Sequence, residues 1–365
     1  MKDTRFAVLL AILAAALSPT NLAANDSAAS VAAGGIQLKR ESRITMKSEK
    51  LFISRDKVRV EYEFLNETPQ DITTEVAFPI PEYKLEFDAA EPFFNDFRLW
   101  IEGSELKYSV EVKALVNGAD LAPLLAKYNI DAASFGHFDV GDNHSDEFAK
   151  LPPAAKDELV RAGLFQVDGE ETVPVWHVLK TYHWTQIFPA GKILHVRHEY
   201  TPMAGFNFLH AEDLNDAARK AKIEEARRKL SAGKDPQSDK YELEGLTYLD
   251  DRLSSACIEP SLARAIAARI NARKADPKAV QNYNVYVGAT WVDYILTTAN
   301  SWKTPIGDFE LTVEKPASNN SSGAPVLTSF CWEGPVEKLD ATHFVARAHD
   351  FVPKDELHVF FFDTF

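Results

Sequence analysis

Between Val58 and Pro81 the chain alternates. Val58, Val60, Tyr62 and Phe64 fall on one side of an extended strand, and Arg59, Glu61 and Glu63 on the other. Asn66 to Gln70 is a polar turn containing Pro69. Ile72, Thr74, Val76 and Phe78 then mark a second strand, stopped by Pro79 and Pro81. The pattern predicts an antiparallel hairpin with one buried face and one wet face.

The same period-2 signal recurs on either side. Strands are predicted near 36–39 and 43–54. Phe97, Leu99 and Ile101 alternate into the turn Glu102-Gly103-Ser104, with 106–113 pairing back. Over 173–201 the segments Val175 to Phe188 and Ile193 to Tyr200 flank Pro189-Ala190-Gly191-Lys192, a strong turn signal. If Phe188 sits opposite Ile193, Trp184 faces Arg197 and His183 faces His198, a pairing that a one-residue slip abolishes. The closing strands are expected at Tyr283 to Thr297, Phe309 to Val313, Val326 to Phe330, Phe344 to Ala348 and Leu357 to Phe362.

Two stretches change period. Leu121, Leu124, Leu125 and Tyr128 recur at helical spacing, and Ala154 to Ala162 predicts a second short helix after Pro152-Pro153. From 211 to 275 the chain is charged and helical. Ala217, Ala218, Ala221 and Leu230 mark one thin apolar stripe, and Leu262, Ile266 and Ile270 another. Thin stripes predict helices lying on the surface of something else. The expected fold is mainly β, antiparallel β-sandwich-type sheets with two helical insertions. Its parts are a β framework at about 36–116, an insertion at about 117–170, a hairpin at about 173–201, a charged helical insertion at about 211–275 and a β-rich closing part at about 281–363.

Composition adds compartment and partners. With 365 residues, 45% of them hydrophobic, the chain has material for a large core. A formal charge of −14 lacks the basic footprint of a nucleic-acid binder and disfavours an anionic membrane surface. Lys2 and Arg5 precede the apolar run Phe6 to Leu17, which is too short to span a bilayer, and small residues follow. Residues 1–24 therefore read as a signal peptide cleaved after Ala24. The leader carries +1 (Lys2 and Arg5 against Asp3), so its loss takes −14 to −15. No later run is predicted to cross a membrane. The product is expected in the periplasm or secreted from a Gram-negative bacterium, beginning with a small, polar, flexible lead-in over 25–35. In that oxidising setting Cys257 and Cys331, the two cysteines, are expected to form a disulfide.

These features have a counterpart. Asn25-Asp26-Ser27, Gly34-Gly35, Met46 with Glu49, Leu51, Ile53 and Ser54, and the run Val76-Ala77-Phe78-Pro79-Ile80-Pro81 follow in order. Then come Tyr182-His183-Trp184-Thr185-Gln186 with Phe188-Pro189-Ala190-Gly191, Tyr294-Ile295-Leu296-Thr297-Thr298 with Trp302, and Phe330-Cys331. In these the chain resembles the bacterial exported family catalogued as domain of unknown function 4424, over nearly all of residues 25–365. That resemblance implies no activity. The Asn66 to Pro81 pattern is also similar to hairpins of vault-protein/inter-alpha-trypsin type domains, which implies a β-sandwich.

Candidate chemistry is sparse. His137, Asp139, Asp142, His144, Asp146 and Glu147 lie close enough to wrap a divalent ion, although neither a calcium-loop nor an HExxH spacing is present. The bland reading is a solvated acidic loop. His183 and His198 would offer two cross-strand imidazoles without a third ligand, and Trp184 with Arg197 reads as a cation–π pair. No Gly-x-Ser-x-Gly elbow or Walker loop occurs, so no catalytic, cofactor-binding or metal residue is assigned. The expected function is a non-catalytic binding module for an unknown protein or ligand of the cell envelope. The alternative is a metal-dependent or hydrolytic enzyme using the 137–147 loop.

Overall fold

The computed structural model describes residues 25–32, 35–84, 94–133, 148–168, 171–275, 277, 286–317 and 324–364. The leader and the 137–147 constellation lie outside these residues. The alternating segments form strands where the pattern places them, and the protein is mainly β. A seven-stranded sheet runs in the order Ala119–Asp120, Ser109–Val116, His177–Phe188, Ile72–Pro79, Ser27–Ala32, Gly35–Leu38, with Tyr83–Lys84 also paired to His177–Phe188. An eight-stranded sheet runs Val336–Lys338, His343–Phe351, Ile306–Glu314, Ile44–Ile53, Val58–Asn66, Ile193–Thr201, Asn95–Ile101, Ser104–Glu105. Among the described residues all strand pairings are antiparallel except Ile306–Glu314 against Ile44–Ile53.

The two sheets pack face to face. Ring centroids of Phe97 and Tyr182 are 4.1 Å apart, and those of Phe64 and Phe188 5.8 Å apart. Val58, Val60, Tyr62 and Phe64 all point into this core, as their spacing predicts.

The predicted hairpins are corners instead. Val58–Asn66 pairs with Ile44–Ile53 and Ile193–Thr201, whereas Ile72–Pro79 pairs with Ser27–Ala32 and His177–Phe188 in the other sheet. The 173–201 segment crosses in the same way, and Ser109–Val116 joins His177–Phe188 rather than Asn95–Ile101. Alternation fixes which face of a strand is buried. It does not say which of two facing sheets the strand enters. The connecting loops exceed the two residues of a tight hairpin and can cross the roughly 10 Å between sheets. Asn66 ties two corners together: its Nδ2 donates to the carbonyls of Gln70 and Phe188, both at 2.8 Å, and its own carbonyl accepts from Gly191 N at 2.9 Å.

Residues 25–35 are not simply a lead-in. Ser27–Ala32 is an interior strand of the first sheet, and Asn25, Asp26 and Ser27 are wholly buried. Its Ser and Ala residues give no strand signal, yet Ser27, Ala28 and Ala29 are wholly buried.

A four-stranded sheet, Ala204–Leu209, Val287–Tyr294, Leu357–Thr364, Leu327–Phe330, is covered on both faces. Val292, Tyr294, Val359 and Phe361 enter the main core. Trp291, Phe360 and Phe362 meet Leu253, Ile266 and Ile270 of the helical unit. That unit comprises Asp216–Ala232, Pro236–Ser255 and Pro260–Lys274. Its stripe in the first helix is not the predicted one. Ala217 and Ala221 are exposed, while Arg219, Ile223 and Ala226 are buried. An apolar pattern cannot reveal Arg219, whose guanidinium is satisfied by Asp250 Oδ1 and the carbonyl of Asp213, both at 2.7 Å. Cys257 and Cys331 are disulfide-bonded, joining this unit to the end of Leu327–Phe330.

Opposite Trp291 the chain carries Gly205, where a Cβ would lie 2.0 Å from the indole ring. Gly205→Ala is expected to cost about 1–3 kcal/mol through forced displacement of that ring. A lowered urea midpoint with an unchanged slope would register it.

Candidate functional site

The wet face of the eight-stranded sheet carries an ordered row. Reading across strands, register aligns Arg347, Glu310, Lys50, Glu61, Arg197, Trp100 and Glu105. Each position is the outward member of an alternating strand, so burial of Leu51, Val60 and Leu99 on the inner face sets these side chains outside. Opposite charges alternate along most of the row, a favourable cross-strand arrangement.

The row deepens into a groove of ≈ 390 Å³ lined chiefly by Lys50, Glu61, Glu63, Trp100, His195 and Arg197. The guanidinium of Arg197 stacks on Trp100, its Cζ 4.0 Å from the ring centroid. Arg197 Nε is buried and accepted by nothing. The carboxylates are turned elsewhere: Glu61 lies 3.6 Å from Arg59 and Glu63 3.7 Å from His195. Among the described residues, neither Arg197 nor Lys50 has a carboxylate within ion-pair distance. At the rim, Glu102 accepts from His195 N at 2.7 Å, and this bond holds its carboxyl below the usual range. The groove thus presents a stacked, forked cation, a second cation two strands away across Glu61, and the carboxylates of Glu61 and Glu63. Such a set suits recognition of a planar anion together with a nearby positive charge.

A family model described as a domain of unknown function, DUF4424, matches residues 24–360. The chain belongs to the DUF4424 family. No curated protein matches this DUF4424 chain. A solved structure from Legionella pneumophila, whose description gives it a provisional nutrient-binding role, aligns with 93% of the DUF4424 chain and 70% of its own, at 10% identity and a TM-score of 0.40.

The residues singled out from the DUF4424 sequence do not converge. Trp184 faces Val76 and points inward, its indole N–H directed to Gln186 Oε1 at 3.3 Å. Arg197 therefore stacks on Trp100, not on Trp184. His183 lies on the outer face of the first sheet, its Nδ1 2.6 Å from Glu75 Oε1. His198 is in the core of the sandwich, 2.8 Å from Asp26 Oδ1. The two imidazoles belong to different sheets and form no ligand pair. Among the described residues no group of three or more His, Cys, Asp or Glu is placed to hold a metal ion. Trp100 was visible in sequence only as an outward position between Leu99 and Ile101. Its pairing with Arg197 needs a register across two strands that are far apart in the chain.

Proposed function

We propose that this chain is an exported cell-envelope binding module of a Gram-negative bacterium. We infer that its groove takes a small zwitterion of the amino-acid or short-peptide class. The observation that carries the reading is Arg197, stacked on Trp100, half-buried and lacking a carboxylate partner. A ligand carboxylate would meet this fork bidentately, with Lys50 across Glu61, and a ligand ammonium would meet Glu61 or Glu63. The volume falls at the small end of the roughly 300–1,000 Å³ typical of ligand sites. Long-range charge favours a zwitterion over a plain anion, because an exported chain of −15 repels net negative charge whereas a neutral ligand experiences no such barrier. No described helix is long and apolar enough to cross a membrane.

The test is calorimetric titration of the exported protein with free amino acids, betaines and di- and tripeptides. Saturable heat is expected from at least one of them. Arg197→Lys should weaken that ligand at least about tenfold, since an ammonium supplies neither the fork nor the stacked plane. Saturable binding that survives both Arg197→Lys and Trp100→Ala would place recognition elsewhere.

A further inference from the structure

The centre of the sandwich holds an unbalanced set of charges. Asp26 Oδ1 is 2.8 Å from His198 Nε2. Asn25 Nδ2 donates to Glu49 Oε2 at 2.9 Å, and Tyr294 OH lies 3.4 Å from Glu49 Oε1 and 3.0 Å from Tyr62 OH. Trp302 Nε1 donates to the carbonyl of Asp26 at 2.7 Å. Asn25, Asp26, Glu49 and His198 are all 0% exposed. The imidazole thus serves Asp26 alone, Glu49 has only the neutral Asn25 and Tyr294 as partners, and among the described residues no Lys or Arg reaches either carboxyl. Asp26 Oδ2 is also buried without a partner. A lone buried carboxylate is expensive unless a cation accompanies it.

The sequence offers one. Hydrolysis of the Ala24–Asn25 amide adds a water, leaves a carboxylate on the departing leader, and leaves an amine on Asn25 that takes up a proton. This amine belongs to the residue whose side chain already bonds Glu49. By covalent geometry it lies within about 5 Å of that side-chain nitrogen.

We propose that the α-ammonium of Asn25, released by cleavage after Ala24, is the counter-ion of the buried Glu49–Asp26 pair, so that leader removal completes the core. The inference rests on the export reading above but not on the groove. It gives the buried start of the chain a role: a chain still carrying its leader keeps a neutral amide at this position and is the less stable species.

The pH dependence follows from the titratable groups linked to Asn25 and Asp26 through this cluster, namely Glu49, Asp26, His198, Tyr62 and Tyr294. With an amide at Asn25, burial is the largest influence on Glu49 and pushes its carboxyl up to about 8; burial likewise raises Asp26. A carboxyl raised on folding stabilises the protein below its unfolded value and loses that contribution as pH rises. For Glu49 the window runs from 4.5 to about 8. The ammonium reverses this by favouring ionised Glu49. The stability gap between processed and unprocessed chains therefore widens as pH rises from about 5 to about 8, near the ordinary α-amino range.

The experiment compares four leaderless chains by urea unfolding at pH 5 and pH 7.5: one starting at Asn25, one retaining Ala24, and each of these with Glu49→Gln. Intact mass of the exported protein first fixes its natural first residue. At pH 7.5 the Asn25 chain is expected to have a folding equilibrium constant at least tenfold above the Ala24-extended chain, with a smaller gap at pH 5 and almost none in the Glu49→Gln pair. Equal stability of the two starts would overturn the counter-ion, as would a gap that survives Glu49→Gln. A natural start other than Asn25 would overturn the processing site. A cytoplasmic chain with its leader intact would overturn the export reading itself, an outcome separate from the others.

Discussion

Asp26→Ala is expected to destabilise the fold by about 3–5 kcal/mol, because it leaves His198 buried in the sandwich with its partner removed. Phe78, Phe97 and Trp184 surround that imidazole with ring centroids 5.0, 5.4 and 5.3 Å away, so no solvent replaces the lost carboxylate. His198→Ala should cost a similar amount. The double variant should cost clearly less than the two together, since neither group is then stranded. Urea unfolding of the four proteins measures this. Additive losses would mean that the pair is not coupled and that each residue matters only for the space it fills.

The second large effect concerns the disulfide. Cys257 and Cys331 are 74 residues apart, with Cα atoms separated by 5.2 Å. Closing a loop of that size contributes about 4 kcal/mol. Cys331→Ser should lower the thermal midpoint without reductant, and the parent should fall comparably once reduced. The loss should appear first in the helical unit, which the bridge fastens to the four-stranded sheet. Equal midpoints for parent, reduced parent and variant would show that the bridge adds nothing.

What the sequence revealed follows from what period-2 patterns encode. Val58 to Phe64 and Ile72 to Phe78 announced their buried faces correctly, and Ile266 and Ile270 announced a helix laid on another surface, which the structure makes a sheet. Pairing was not legible. In a sandwich two sheets offer the same apolar surface, so a strand's own residues do not choose between them. The choice here is written in Asn66, Asp71 and the backbone of Ala190 and Gly191, whose hydrogen bonds cross-link the corners. Nothing in a turn propensity separates such a corner from a hairpin. Ser27–Ala32 was illegible for another reason: small residues report no periodicity, and its place in the sheet is set by pairing with Ile72–Pro79 and Gly35–Leu38.

The groove shows the same limit. Arg197 was noticed and Trp100 was not, because their contact depends on strands separated by about a hundred residues of chain. The fold brings Lys50, Glu61, Arg197 and Trp100 into one row from four segments, each of which alone reads as an ordinary wet strand face. The two unpaired cations in that row distinguish it from a merely solvated ladder.

The most direct test of the proposed site is the Nε–Hε region of the nitrogen–proton NMR spectrum of protein labelled at arginine. The Arg197 signal should stand apart through the ring current of Trp100 and disappear in Arg197→Lys. Adding the pooled amino acids and short peptides should move that signal saturably, because the fork is where the carboxylate lands. If other arginine signals shift while that of Arg197 stays fixed, or if nothing shifts at millimolar ligand, the groove is not the binding site.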